Sequence, residues 1–490
     1  ALSIVMYTRT VSVPAAWRGR TLLLECGGVG GLAEWSVNGT SVGELPHWED
    51  GAFDVTDLLE PGGDASICVL LQKTARLRQF GIYGDVRLVA APRVSLRSLV
   101  LDPRVTVDGS GPNGGVSLLR EPRLRVGCTV HNAGPATQAA LALTIEPVGN
   151  GPAAGARRFT HTVSLAKRTS GRDTIGAAQA IACSFPWPDP TLWTYDQPFL
   201  YRARAEIFLG DQRIDVAPPV SFGFREFRMQ GADFFLNGVP THLRGHQIDL
   251  GWGPQMPRME ELRAAGMNSF EFHGPVSSGW YRDRPAFPPD FERILTYADE
   301  NGLIAAVNLP GAKVLRETLS SAAVGEAYER RIASFVRRYG NHPSVCLWHL
   351  HFNWAGYRWY HPPDKIDGSY KPDDSVFLEK ERFALQAQKL IQGVDPRPVY
   401  HHACGNLGEV FSLNCYIGPT SPLQEREEWP SRWAQKRPFP LLACEHGLML
   451  IPYWYRPRQF PLSVVYSGEP LFDEISAKYM GGRAYSAVTR

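Results

Sequence analysis

The sequence predicts a multidomain protein in which two β-sandwiches precede an α/β barrel. Short alternating strands fill the first half of the chain, and apolar strands alternate with amphipathic helices in the second half. The length of 490 residues is compatible with about three domains of ~150 residues each. We therefore predict domains at residues 1–91, 92–222 and 223–490.

The first predicted domain contains only strands. Its segments AEWSVNGTSVGE and ASICVLLQK alternate polar and apolar side chains, as strands of a half-buried sheet do. Asn38-Gly39 separates two such runs and is typical of a two-residue hairpin turn. Residues 1–91 are therefore predicted to form a β-sandwich.

The second predicted domain continues this pattern. The segments EPRLRVGCTVHNAG and QAALALTIEPVG alternate with a period of two, and LYRARAEIFLGDQRIDV predicts a closing hairpin. The length of this region is typical of an immunoglobulin-like β-sandwich, although it lacks the Cys-Trp-Cys spacing of antibody domains.

The third predicted domain changes rhythm at about residue 235. The strand MNSFEFH precedes the helix DFERILTYADENG, and the strand LIAAVNLPG precedes the helix GEAYERRIASFVRRYG. Seven strands with helices between them predict a (β/α)8 barrel, in which chemistry takes place at the C-terminal ends of the strands. Since we find no eighth strand, we expect a barrel incomplete at its C-terminus, a second chain that completes it, or one strand missed in our count.

Composition excludes several classes of partner. Lys and Arg number 51 and Asp and Glu 49, so the chain lacks the basic surface that nucleic acid requires. No apolar run is long enough to span a membrane, and the first residues lack the features of a signal peptide. The eight cysteines are scattered without ligand spacing, so we expect buried thiols and neither a metal site nor a cofactor. Secreted, periplasmic and cytoplasmic locations all stay open.

Four motifs carry a resemblance. FDVTDLLEPGGDASICVLL and GIYGDVRLVA lie in the first predicted domain, FGFREFRMQGADFFLNGVPTHLRG leads into the predicted barrel, and NHPSVCLWHL covers its fourth strand. In this order they resemble family 2 of the glycoside hydrolases, the group of β-galactosidases and β-glucuronidases: the first two resemble its sugar-binding jelly roll, the third the entry into its TIM barrel, and the fourth its fourth barrel strand. The resemblance implies a jelly roll, an immunoglobulin-like sandwich, a TIM barrel and a carbohydrate substrate.

The resemblance also implies a nucleophile. PLLACEHG resembles the seventh-strand motif of the family and puts Glu445 at the nucleophile position. This carboxylate follows an apolar strand, where barrel enzymes hold catalytic groups. LNCYIG resembles the sixth strand, so Tyr416 is expected to orient the nucleophile and Asn414 to bind substrate.

The acid/base position departs from the family. There, a glutamate lies five residues after the fourth-strand Trp, whereas Trp348 is followed at that distance by Asn353. An amide neither donates a proton usefully nor activates water. Candidate replacements at the strand ends are Glu271 and His273 of the second strand, His351 of the fourth strand and Asp249 of the first loop.

The predicted substrate-binding residues combine polar groups with aromatic rings that stack on sugars. They are Arg244, His246, His273, Trp354, Asn414 and Trp454. Two functions therefore stay open: an exo-acting retaining hydrolase of a β-linked glycoside that uses Glu445, and an inactive barrel that binds carbohydrate. A structural or assembly subunit is a third reading, and a homo-oligomer is compatible with each of the three.

Overall fold

The computed structural model describes most of the chain. The described ranges are 4–46, 50–73, 80–82, 84–107, 119–149, 155–166, 179–249, 256–273, 290–309, 322–350, 375–405, 407–415, 431–437 and 439–446. They fall into two compact units. The first draws on Ala1–Met229, Asp233–Leu350 and Ala387–Pro398, and the second on Gln230–Ala232, His351–Gln386 and Val399–Arg490. No described helix is both long and apolar enough to cross a membrane.

The first unit begins with antiparallel strands that bury one face. These strands are β1 (Ile4–Ser12), β2 (Thr21–Cys26), β3 (Val29–Gly30), β4 (Leu32–Val37), β5 (Thr40–Leu45), β6 (Gly51–Asp54), β7 (Asp64–Gln72), β8 (Gly81–Ile82) and β9 (Val86–Ala91). They form sheets in the orders β1-β7-β4-β5 and β6-β2-β9, with a β3-β8 pair. Buried Trp35 and Phe53 pack in their core with ring centroids 5.9 Å apart. Asn38 and Gly39 both have positive φ and close the predicted hairpin between β4 and β5.

A second antiparallel group follows with a larger aromatic core. Its strands are β10 (Val94–Val107), β11 (Leu119–Asn132), β12 (Thr137–Val148), β13 (Arg157–Leu165), β14 (Gln179–Pro186), β15 (Leu200–Leu209), β16 (Gln212–Val216) and β17 (Val220–Phe222). The sheet orders are β10-β11-β14 and β13-β12-β15-β16, and β17 pairs with β15. Trp187, Tyr201, Phe222 and Phe224 are fully buried together between them.

The remaining elements belong to the region in which strands and helices follow one another in turn. Three short strands of one sheet come first: β18 (Phe227–Gln230), β19 (Asp233–Leu236) and β20 (Val239–Thr241), of which β19 and β20 pair antiparallel. The later strands are β21 (Gly245–Asp249), β22 (Ser269–His273), β23 (Ile304–Asn308), β24 (Val345–Leu350), β25 (Val399–His401), β26 (Phe411–Cys415) and β27 (Leu441–His446). The helices are α1 (Met256–Ala264), α2 (Asp290–Asn301), α3 (Ala322–Tyr339), α4 (Ser375–Val394) and α5 (Ser431–Lys436).

All seven strands predicted beyond residue 235 are present, and two groups of them are parallel. β21, β22, β23 and β24 pair in parallel in chain order within the first unit. β26 and β27 pair in parallel within the second unit. The search for an eighth strand falls on residues outside the described ranges, so closure of the barrel stays a prediction.

The segment Asn341–Ser344, which precedes β24, connects several parts of the first unit. Asn341 Oδ1 accepts a hydrogen bond from the Leu101 amide of β10 at 2.7 Å. The Asp299 carboxylate of α2 contacts His342 Nδ1 at 2.5 Å and accepts from the Ser344 amide at 3.0 Å. Trp193 Nε1 donates to the Asp299 carbonyl oxygen at 2.8 Å. This motif therefore holds β10, α2 and the start of β24 together.

The cysteines whose side chains the structure describes are free thiols, as predicted, and the prediction that they are buried holds for part of them. Cys26, Cys128, Cys346 and Cys404 are buried, and Cys68, Cys183 and Cys444 are partly buried.

Candidate active site

Strands β22, β23 and β24 form a sheet of which one face packs against helices and the opposite face does not. The Phe272 ring of β22 packs against Phe291 of α2, with centroids 4.6 Å apart. The Trp348 ring of β24 packs against Phe335 of α3, with centroids 6.0 Å apart. Since side chains alternate along a strand, the neighbours of Phe272 and Trp348 lie on the opposite face.

Three polar side chains meet on that opposite face. His349 Nδ1 lies 3.1 Å from Asn308 Nδ2 and 3.7 Å from Glu271 Oε1. Its Nε2 lies 3.1 Å from the Phe272 carbonyl oxygen. Because a carbonyl oxygen only accepts hydrogen bonds, we assign a proton to Nε2, which donates a hydrogen bond to this oxygen. The His349 side chain is fully buried, whereas 11% of the Glu271 side chain is exposed.

This polar cluster of Glu271, Asn308 and His349 has two members at the C-terminal ends of their strands and one in the middle of its strand. Asn308 is the last residue of β23, His349 the second last of β24 and Glu271 the third of five in β22. Parallel β/α domains place their functional groups at these ends. Glu271 was predicted as a functional residue, whereas His349 was not, although it lies in the predicted fourth strand.

The second unit brings two predicted site residues into register. β26 and β27 are parallel, and Asn414 pairs with Glu445 next to the pair of Cys415 and His446. An irregularity between Leu413 and Asn414 shifts the register just before this point. Both residues therefore lie near the C-terminal ends of adjacent parallel strands, and the catalytic role of Glu445 stays a prediction.

Buried polar groups support this strand pair. His401 and His402 are fully buried, and burial lowers the pKa of His401 to about 3. Ser412 Oγ of β26 donates to the His401 carbonyl oxygen and accepts from the Cys404 amide at 3.3 Å. Phe411 and Leu413 pack against Trp433, Phe439, Leu441 and Ala443.

Two predicted substrate-binding residues lie near the start of β21. Arg244 precedes β21 and is exposed, and its backbone amide donates to Asn268 Oδ1 at 2.8 Å. His246, the second residue of β21, is also exposed. Partial burial and the charge of Arg258 lower its pKa. Both lie toward the N-terminal end of β21, and their contact with a substrate stays a prediction.

The remaining predicted residues fall into two groups. His273 ends β22, where its backbone pairs with Asp249. Outside the described ranges lie Tyr416, His351, Asn353, Trp354 and Trp454. Their assignments, like the prediction of no metal and no cofactor, stay predictions.

No protein-family model matches this sequence. Solved structures of glycoside hydrolases do match the fold. Bacteroides uniformis β-glucuronidase 2, covalently bound to cyclophellitol-6-carboxylate aziridine, has 20% identity and a TM-score of 0.62 over 90% of this chain and 52% of its own. A glycosyl hydrolase family 2 member from Bacteroides cellulosilyticus has 16% identity and a TM-score of 0.58, covering 90% and 58%.

A third match is the family 2 β-galacturonidase from Eisenbergiella tayi bound to galacturonate. It has 18% identity and a TM-score of 0.57, and the match covers 90% of this chain and 73% of that one. The chain spans about half the length of the β-glucuronidases that it matches. The resemblance inferred from sequence motifs is confirmed as a likeness of fold: this chain has a fold like that of glycoside hydrolase family 2.

Proposed function

We propose that this protein is a retaining, exo-acting glycoside hydrolase that cleaves a β-linked glycoside with Glu445 as its nucleophile. The observation that carries this proposal is the register of β26 and β27, which pairs Glu445 with Asn414 near the ends of two parallel strands. The glycosidases among the matched structures add support for the substrate class.

The proposed reaction has two displacements. The Glu445 carboxylate attacks the anomeric carbon, the bond to the leaving oxygen breaks, and a glycosyl ester forms. Water then attacks the same carbon and releases the carboxylate, so two inversions give overall retention. Asn414 is the register partner of Glu445 and is proposed to bind a hydroxyl group of the sugar, and Tyr416 is proposed to orient the nucleophile.

A second candidate function is an inactive carbohydrate-binding protein. The observation that favours it is Asn353, an amide at the position where the family carries its acid/base glutamate. Without general acid catalysis, the rate at which leaving groups of high pKa depart is lower by a factor of about 10²–10⁴. An enzyme that keeps its nucleophile still cleaves glycosides with good leaving groups, whereas a binding protein cleaves none.

Hydrolysis of activated glycosides tests the proposal directly. The full chain is incubated with the 2,4-dinitrophenyl β-glycosides of galactose, glucuronic acid and galacturonic acid, and phenolate release is followed by absorbance. We expect turnover of at least one substrate, a loss of at least ~10³-fold in Glu445→Gln, and no change in Glu409→Gln, an exposed residue before β26.

Covalent trapping gives an independent readout. Cyclophellitol-6-carboxylate aziridine, which binds covalently to the matched β-glucuronidase, is expected to add one label whose peptide maps to Glu445 if the substrate is a uronide. Binding of methyl β-glycosides by calorimetry, with no hydrolysis of any dinitrophenyl substrate, would overturn the enzymatic proposal and support the binding protein.

A further inference from the structure

The polar cluster of Glu271, Asn308 and His349 brings together three kinds of group that bind metal ions: a carboxylate, an amide and an imidazole. All three side chains belong to β22, β23 and β24, which are adjacent parallel strands of the first unit. Ala306 of β23, which carries only a methyl group, is the register partner of Glu271. The cluster is therefore held by the sheet rather than by loops, as a preorganised site requires.

His349 is oriented as metal-binding histidines are. Its Nε2 donates to the Phe272 carbonyl oxygen at 3.1 Å, which fixes the ring and leaves a lone pair on Nδ1. Nδ1 lies 3.1 Å from Nδ2 of Asn308 and 3.7 Å from Oε1 of Glu271. The ring atom that can coordinate a cation therefore faces the other two side chains.

Asn308 contributes a buried acceptor. The residue is 2% exposed, and its Oδ1 has no hydrogen-bond partner among the described residues. A buried polar atom in that state costs about 1–3 kcal/mol. The two ends of an amide are nearly the same size, so a half-turn of this group would place Oδ1 where Nδ2 lies, 3.1 Å from Nδ1 of His349. Two acceptors at that separation need a proton or a metal ion between them.

The distances favour a metal ion over a proton. A hydrogen bond between nitrogen and oxygen spans about 2.7–3.2 Å, so the 3.7 Å between His349 Nδ1 and Glu271 Oε1 is too long for one. Ligand atoms bound to a tetrahedral zinc ion at about 2.0–2.1 Å lie about 3.3 Å from one another. The separations of 3.1 Å and 3.7 Å in the cluster lie on either side of this value. Small side-chain movements would therefore turn the cluster into a three-ligand site.

The strand neighbours of Glu271 add no charge of their own. Its register partners are Gln247 of β21 and Ala306 of β23, neither of which is ionisable. The Glu271 side chain is 11% exposed whereas that of His349 is fully buried, so Glu271 is the member of this pair that solvent reaches. A carboxylate among neutral strand partners favours a cation as the ligand.

We propose that Glu271, Asn308 and His349 form a binding site for a divalent transition-metal ion, for which zinc is the probe. His349 coordinates through Nδ1, Glu271 through a carboxylate oxygen and Asn308 through Oδ1, and water completes the coordination. An imidazole ligand favours zinc over magnesium, which prefers oxygen ligands. Cysteine and histidine spacing predicted no metal because these ligands lie on three strands far apart in the sequence.

Calorimetry with ZnCl2 tests the site on the full chain after dialysis against EDTA. We expect one tightly bound ion per chain and no binding of MgCl2 at the same concentration. Glu271→Gln, which removes the charge but keeps the shape of the side chain, is expected to weaken zinc binding by at least ~10-fold. The matched controls are Glu300→Gln, at an exposed position of α2, and His161→Gln, on β13, and both are expected to keep the wild-type affinity.

Asn308→Asp provides a readout that a merely structural role would not move. The carboxylate has the shape of the amide but adds a negative charge and a second ligand oxygen. Zinc should therefore bind at least ~10-fold more tightly to this variant than to the wild type, because the charge of the ligands sets the affinity of such sites.

Folding of each variant is checked by thermal melting without added metal, and His349→Gln replaces Glu271→Gln if the latter does not fold. Three results would each overturn this inference: no zinc binding by the wild type, zinc binding no tighter than magnesium binding, or unchanged zinc affinity in a folded Glu271→Gln or Asn308→Asp. The readout is binding, so the outcome does not depend on hydrolysis by Glu445.

Discussion

Glu271 Oε1 lies 3.7 Å from His349 Nδ1, although a whole strand separates β22 from β24. Ala306 of β23 shares its register with Glu271, is 8% exposed and carries only a methyl group, which leaves room for a contact across β23. The contact also depends on alternation, because Phe272 and Trp348 face the helices and leave Glu271 and His349 on the other side.

Enlarging Ala306 is expected to separate this pair. In Ala306→Leu, three more carbon atoms enter the space near the carboxylate and the ring, so we expect a loss of about 1–3 kcal/mol of unfolding free energy, read from the urea midpoint. Ala306→Gly leaves that space open and is the matched control, with an expected loss of about 0.5–1 kcal/mol. Equal urea midpoints for the two variants would show that the space beside Glu271 and His349 accommodates a larger side chain.

Much of the fold was predictable because its signals are local. The hairpin at Asn38-Gly39 follows from two residues that tolerate positive φ, and the seven later strands follow from apolar runs between helical patterns. The strand of Glu445, the proposed nucleophile, was predicted from a motif, and the structure adds that Asn414 of β26 is the register partner of Glu445.

The polar cluster was only partly predictable because its geometry is non-local. All six residues of β24 are buried, so the strand shows no alternation from which the inward face of His349 could be inferred. The segment Asn341–Ser344 belongs to the motif that resembles the fourth barrel strand. Its hydrogen-bond partners include Leu101 and Asp299, and contacts at such sequence separation leave no local pattern.

Glycine is required where α2 ends. Gly302 has a φ of +68°, and a Cβ atom there would lie 2.1 Å from the Tyr195 carbonyl oxygen. Gly302→Ala combines backbone strain with a clash against main chain, so we expect a loss of at least about 2 kcal/mol of unfolding free energy. Gly210→Ala is the matched control, since Gly210 has a φ of +58° and nothing within 4 Å of a Cβ. Its expected cost is about 1 kcal/mol, and equal denaturant midpoints for the two variants would contradict the clash.

The buried thiols are expected to be inert in the folded protein. Burial raises the pKa of Cys26 to about 11 and that of Cys128 to about 12, so little thiolate forms at pH 8. Iodoacetamide at pH 8 should leave both residues unmodified in the native protein and alkylate both in guanidinium chloride, as read by peptide mapping. Rapid alkylation of either thiol without denaturant would show that its sandwich opens readily.

His342 is expected to make stability depend on pH in the alkaline range. Burial by itself would lower the pKa of this ring, but the charge and hydrogen bond of Asp299, with Glu292 nearby, raise it from 6.5 to about 9. A group whose pKa is higher in the folded state stabilises the fold fully below its unfolded pKa, and this contribution disappears as pH rises through the folded pKa. The contribution is on the order of 3 kcal/mol.

The urea midpoint of the wild type should therefore fall between pH 6.5 and pH 9.5. In His342→Gln, which has no titrating ring, the midpoint should be lower at pH 6.5 and should change less over the same range. His161→Gln, on strand β13 of the second sandwich, is a control that keeps the wild-type slope. Parallel pH profiles for wild type and His342→Gln would mean that the ring is neutral in the folded protein, and that the contact with Asp299 is an ordinary hydrogen bond rather than an ion pair.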